Sequence, residues 1–114
     1  MSERFVNLPE KLSIKAIEEI LGLTPGVIAS WKSRKLISYN ESDLRGENVA
    51  LTREQIARII VIQAVRNQVR KERGDGSDYA NDVKMTFRYP DWVDDYSEMI
   101  NEMGWNLFSP RVDQ

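Results

Sequence analysis

Leu12-Ser13-Ile14-Lys15-Ala16-Ile17-Glu18-Glu19-Ile20-Leu21-Gly22-Leu23-Thr24-Pro25-Gly26-Val27-Ile28-Ala29-Ser30-Trp31-Lys32-Ser33-Arg34-Lys35-Leu36-Ile37 is the stretch whose reading decides the fold. Ile14, Ile17, Ile20 and Leu21 recur at the spacing of one helical face. Ser13 stands before them as an N-cap, its hydroxyl oxygen placed to accept a free amide of the first turn. Gly22 follows as a residue that tolerates the left-handed conformation closing a helix. Thr24-Pro25 then repeats the start signal, with Thr at the N-cap and Pro at the first helical position, where its missing amide costs nothing. A second helix is expected from about Pro25 to Lys35. Ile28, Trp31 and Leu36 supply its inward side, and Ser30, Lys32, Ser33, Arg34 and Lys35 its polar, basic side. Two short helices joined at Gly22 form a helix-turn-helix candidate.

Outward from this stretch the periodicity changes. Ile37 to Tyr39 and Asn48 to Leu51 are β-capable pieces around a polar tip, and are expected to pair as a hairpin. Thr52-Arg53-Glu54-Gln55 is a capping box that opens a long helix ending near Gly74,. Its stripe is Ile56, Ile59, Ile60, Val65 and Val69. Val61 and Ile62 make its first half apolar nearly all round, so cover is expected on more than one side. Gly74-Asp75-Gly76-Ser77-Asp78 is a flexible breaker, dividing a domain 1–74 from a segment 75–114. Beyond it Val83, Met85, Phe87 and Tyr89 alternate with polar residues, which predicts a strand that Pro90 ends. Trp92, Tyr96, Met99, Ile100 and Met103 return to helical spacing until Gly104, and Trp105 to Phe108 is expected as a last strand. The fold class is therefore expected to be α+β and mainly α, a winged helix-turn-helix followed by a small strand-helix-strand segment.

Composition narrows the chemistry. With 114 residues, 0 Cys and 0 His, the chain lacks a thiolate nucleophile, an imidazole base and the usual zinc ligands. Asp75, Asp78 and Asp82 do not have the alternate-position spacing of a calcium loop. Asp94 and Asp95 are adjacent on a helix and point to different azimuths, so they do not converge on one bond. No phosphate-cradling glycine loop is found. The expectation is no enzyme, no cofactor and no metal. The absence of Cys, of an apolar leader and of a long apolar run makes the expected location cytoplasmic. The net charge of −2 divides unevenly. Residues 1–73 carry 13 Lys/Arg against 9 Asp/Glu, net +4, and residues 74–114 carry 3 against 9, net −6. A local basic face sets the field at a phosphate backbone whatever the total.

The order of parts over residues 12 to 74 resembles the winged helix-turn-helix domain of the MerR superfamily: a short first helix, Gly22 in the turn, Thr24 opening the second helix, Trp31 where that family often has an aromatic, Leu36-Ile37 leading into a wing, and a capped helix after it. The resemblance implies that the second helix enters a major groove and the wing touches the backbone or minor groove. By position, Ser30, Lys32, Ser33, Arg34 and Lys35 would face DNA, and Arg45 would sit on the wing. Ala29 stands where the family commonly has Arg, the usual Arg-Tyr pair of the wing is missing, and residues 75–114 replace the dimerising coiled coil. The pattern is also similar to phage excisionases and to the DNA-binding end of small terminase subunits.

Each feature has a plainer reading beside it. Trp31 reads as core rather than as a base contact. Lys32, Arg34 and Lys35 also fit a solvated helix end, where cations are favoured. Lys15, Arg53, Arg66 and Arg70 are candidate phosphate contacts or ordinary helix charges. The function expected is a sequence-specific double-stranded-DNA-binding protein, a transcriptional regulator of bacterial or phage type. It is expected to act as a homodimer on paired half-sites, with Tyr89, Trp92, Tyr96, Met99, Trp105 and Phe108 as the dimer interface. The alternatives are an architectural role of the excisionase or small-terminase kind, and a protein-interaction module whose partner binds residues 75–114.

Overall fold

Ser13 and Thr52 organise the start of the fold, because each ends a short strand and caps the helix that follows. The computed structural model describes residues 7–9, 11–39 and 50–108. Strand β1 (Lys11–Ser13) runs directly into helix α1 (Ile14–Leu21), and the Ser13 hydroxyl accepts the Ala16 amide at 3.1 Å. Helix α2 (Val27–Ser33) follows, then strand β2 (Ala50–Thr52), which runs directly into helix α3 (Arg53–Arg73). At Thr52 the expected capping box is complete: its hydroxyl accepts the Gln55 amide, and the Gln55 side-chain oxygen accepts the Thr52 amide at 2.8 Å. The two strands pair antiparallel, with Lys11 opposite Thr52, Leu12 opposite Leu51 and Ser13 opposite Ala50.

This pairing corrects the expected hairpin. The partner of β2 is β1 and not Ile37–Tyr39, which forms no strand. Leu36 and Ile37 are consecutive and both buried at 4% exposure, whereas a two-sided strand would send one of them outward. The Ser38 carbonyl instead accepts a hydrogen bond from the Gln55 side-chain amide at 3.0 Å. The tip of the expected wing, residues 40–49 with Arg45, lies outside the described residues.

Helix α2 also starts later than expected. The Val27 amide donates to the Thr24 carbonyl at 3.1 Å, and Gly26 has φ +89° and ψ −7°. That is a type II turn with Pro25 and Gly26 at its two central positions. No side chain of its own caps α2. The carboxylate of Glu18, a buried residue of α1, reaches across eight positions to accept the Gly26 amide at 2.9 Å.

Helix α3 is the centre of the molecule. Ile59, Ile60, Val61 and Ile62 are four successive residues, all buried, and four residues span a full helical turn. Such a helix needs cover all round, and helices α4 (Ala80–Arg88) and α5 (Trp92–Phe108) supply part of it. Tyr79, Val83, Trp92 and Ile100 join Ile17, Ile28, Trp31 and the α3 residues in one buried cluster. The stretch 74–78, expected as a flexible breaker, is a short turn tied by side chains: Ser77 donates to the Arg73 carbonyl, Asp78 pairs with Arg34, and just beyond it Asp82 pairs with Arg73.

Residues 80–108 correct the strand-helix-strand expectation. Val83, Met85, Phe87 and Tyr89 belong to a helix and its C-cap. Tyr79, Val83 and Phe87 are spaced by four and turn inward, while Met85 and Tyr89, each 57% exposed, turn to solvent. Tyr89 is extended before Pro90, as the residue preceding a proline must tend to be,. Helix α5 then runs through Gly104 to Phe108, with no second strand. Gly104 is not a stop but a contact: a Cβ there would lie 2.9 Å from the Leu8 side chain and 3.0 Å from the Asn7 carbonyl oxygen. The Asn7 side-chain amide donates to the Asn101 carbonyl one turn earlier. The described architecture is thus mainly helical, five helices with one two-stranded antiparallel sheet.

Candidate nucleic-acid interface

Helix α2 sorts its side chains by face. Ile28 and Trp31 are fully buried, each worth about 2 kcal/mol or more in apolar area removed from water. Ala29, Ser30 and Ser33 are exposed. Its end is held from beneath: the Trp31 indole N–H donates to the Tyr79 hydroxyl at 2.8 Å in the interior, and the Arg66 guanidinium lies 5.6 Å from the Trp31 ring centroid. Trp31 is therefore core, and it joins α2 to α3 and to the turn before α4.

The C-terminus of α2 closes with two crossed hydrogen bonds, Leu36 amide to Trp31 carbonyl at 2.8 Å and Lys35 amide to Lys32 carbonyl at 3.0 Å. This Schellman arrangement needs a left-handed residue between them, usually glycine. Here it is Lys35, at φ +65°, the one non-glycine among the described residues with positive φ. A side chain in that conformation costs roughly 1 kcal/mol relative to glycine. Lys35 is exposed, beside exposed Ser33 and Arg34.

The cations of this end differ in how they are held. Arg34 pairs with Asp78 at 2.7 Å and stacks 5.0 Å from the Tyr79 ring centroid. The Asp78 carboxyl is held below the usual carboxylate range, first by the Ala80 backbone amide that it accepts and then by Arg34. Lys32 is half-buried, its ammonium 5.2 Å from the Tyr39 ring. Both Lys32 and Lys35 line an open cleft of about 890 Å³ between the end of α2, the start of α3 and the side of α4 that carries Val83, Lys84, Phe87 and Arg88. Arg58, Lys84 and Arg88 line it as well. Among the described residues its one acid is Glu54, which is paired with Arg58 at 3.2 Å.

The remaining candidates fall into groups. Lys15 is exposed on α1, in a second cleft that it shares with Gly22, Pro25 and Ala29. Arg70 is exposed near the end of α3. Arg53 is half-buried and donates its Nε–H to the Leu8 carbonyl at 2.8 Å, which ties α3 to residues 7–9. Arg66 lies over Trp31, and its buried Nε has no hydrogen-bond partner among the described residues. Arg53 is thus engaged within the chain. The expected interface of aromatics divides in the same way. Trp92 is buried, and Tyr96, Met99 and Phe108 are partly buried against the core of their own chain. Trp92 meets Phe87 edge to face at 5.0 Å, and Arg58 lies over both rings. Tyr89 and Trp105 alone of that set are exposed, at 57% and 65%.

Sequence reasoning missed three residues that shape this surface. Glu18 fixes the turn before α2, and Lys84 and Arg88 line the cleft. Their i, i+4 spacing is a visible helical signal, hidden by reading the segment as a strand. Among the described residues no helix is long and apolar enough to cross a membrane. No group of three or more His, Cys, Asp and Glu is placed among them to hold a metal ion. Comparison with protein-family models, with curated proteins and with solved structures finds no match for the chain.

Proposed function

We propose that the protein binds double-stranded DNA sequence-specifically through the exposed side of α2, as a winged helix-turn-helix regulator of the bacterial or phage type. The observation that carries this reading is the division of α2 into a buried Ile28 and Trp31 and an outer side of small and hydroxyl residues that ends in Lys32 and Lys35. Ala29, Ser30 and Ser33 let a groove floor approach closely, and hydroxyls and ammonium groups donate to phosphates and base edges. The function is occupancy of a site and not chemistry. One module of this size buries about 600–1,000 Å² on DNA, so pairing of two copies on adjacent half-sites supplies the rest of the affinity.

Selection from a randomised duplex library at physiological salt tests this. The expected result is an enriched motif whose preference relaxes in Ser30→Ala/Ser33→Ala, with inverted repeats marking a dimer. Direct repeats would move the protein to recombination or packaging. Absence of any enriched motif would contradict sequence-specific binding.

A further inference from the structure

We infer that α4 belongs to the DNA-binding surface, with Lys84 and Arg88 completing a cleft that follows the phosphate backbone of the duplex read by α2. This rests on the reading of α2 proposed above and extends it to the part of the chain that is acidic overall. The described residues 75–108 carry eight carboxylates and two cations. Both cations line the cleft, and none of the eight carboxylates does. Asp78, in the turn before α4, and Asp82, in the first turn of α4 itself, are paired with Arg34 and Arg73 instead. Among the described residues of this segment, the cations therefore lie only where it lines the cleft.

The cleft is suited to a polyanion because its cations come from three elements: α2 and its end, α3, and α4. Lys84 and Arg88 lie one turn apart on α4, and both are exposed. The occupant is duplex DNA because Lys32 and Lys35 belong both to the cleft and to the end of α2. A backbone strand leaving a groove occupied by α2 meets those two side chains first. Contacts of this kind position a protein on DNA without reading sequence, and they are measured by the salt dependence of binding.

The test is fluorescence anisotropy on the full chain across a salt series, using the duplex recovered by selection and a scrambled duplex of equal length. Lys84→Gln/Arg88→Gln is compared with the unaltered protein and with Lys71→Gln, an exposed cation at the end of α3 that does not line the cleft. The expected result is a slope of log affinity against log salt that is shallower by about 2 in the double variant. Its affinity falls equally on both duplexes, the preference between them is kept, and Lys71→Gln changes little. An unchanged slope in the double variant, with normal binding by the unaltered protein, overturns the role of α4 and leaves the reading of α2 standing. A loss in Lys71→Gln half as large as in the double variant, hence equal per charge removed, assigns the effect to net charge and also overturns it. Failure of the unaltered protein to bind either duplex at low salt overturns the reading of α2 and this inference with it. Lys84→Gln alone repeats the test at half the size if the double variant does not fold.

Discussion

Helices α1 and α2 end in the same hydrogen-bonded loop, yet one closes on Gly22 and the other on Lys35. At the end of α1, the Leu23 amide donates to the Glu18 carbonyl at 2.8 Å and the Gly22 amide to Glu19 at 3.4 Å, with Gly22 at φ +70°. At the end of α2 the same pair of bonds surrounds Lys35 at φ +65°. The difference is one of use. The end of α1 is tied into the molecule, where the Gln63 side-chain amide donates to the Leu21 carbonyl at 3.1 Å. The end of α2 carries a cation into solvent and accepts the strain of a side chain in the left-handed region. Backbone strain of this kind concentrates at binding surfaces, where the side chain is needed more than the stability.

The two helices are also supported by different parts of the C-terminal region. Helix α2 rests on the turn before α4 through Trp31 and Tyr79, whereas α1 lies against α5, whose Gly104 seats Asn7 and Leu8. Tyr79→Phe keeps the ring under Arg34 but leaves the buried Trp31 N–H without an acceptor, a loss of about 1–3 kcal/mol. We expect the melting temperature to fall by roughly 4–12 °C. An unchanged melt would mean that α2 stands without this support. Gly104→Ala gains helix propensity, but its methyl group meets the Asn7 backbone as well as the flexible Leu8 side chain. The net expectation is a destabilisation of about 1–2 kcal/mol, with DNA affinity per folded molecule unchanged, read by denaturant titration beside binding. Loss of affinity at full folding would show that the two supports are coupled.

What was legible in the sequence is local. Ser13, Gly22 and the Thr52-Gln55 pair each complete a hydrogen bond within a few residues, and each was legible. The start of α2 was not, because its cap comes from Glu18 on the preceding helix and because Gly26, not Thr24, closes the turn. Val83 to Tyr89 satisfies a period of two along its whole length and a period of four along half of it. The arbiter is the apolar girdle of α3 at Ile59–Ile62, which needs a covering helix and lies more than 20 residues away. Gly104 reads as a helix stop until the N-terminal segment is seen against it. Of the candidate surface, Ser30 and Ser33 could be placed from helical spacing alone, whereas Lys35 lies past the helix end at a left-handed position. The internal commitments of Arg34, Arg53 and Arg66 could not, since their partners are Asp78, Leu8 and Trp31, distant in the chain.

The most direct test of the account is at Lys35, where the expected stability change is the smallest. Lys35→Gly relieves the positive φ and removes the cation in one step, so stability and affinity should move in opposite directions. We expect a variant more stable by up to about 1 kcal/mol that binds the selected duplex more weakly, with the salt slope reduced by about 1. A variant that is more stable and binds as tightly as the unaltered protein would contradict the claim that the end of α2 is the DNA-binding surface.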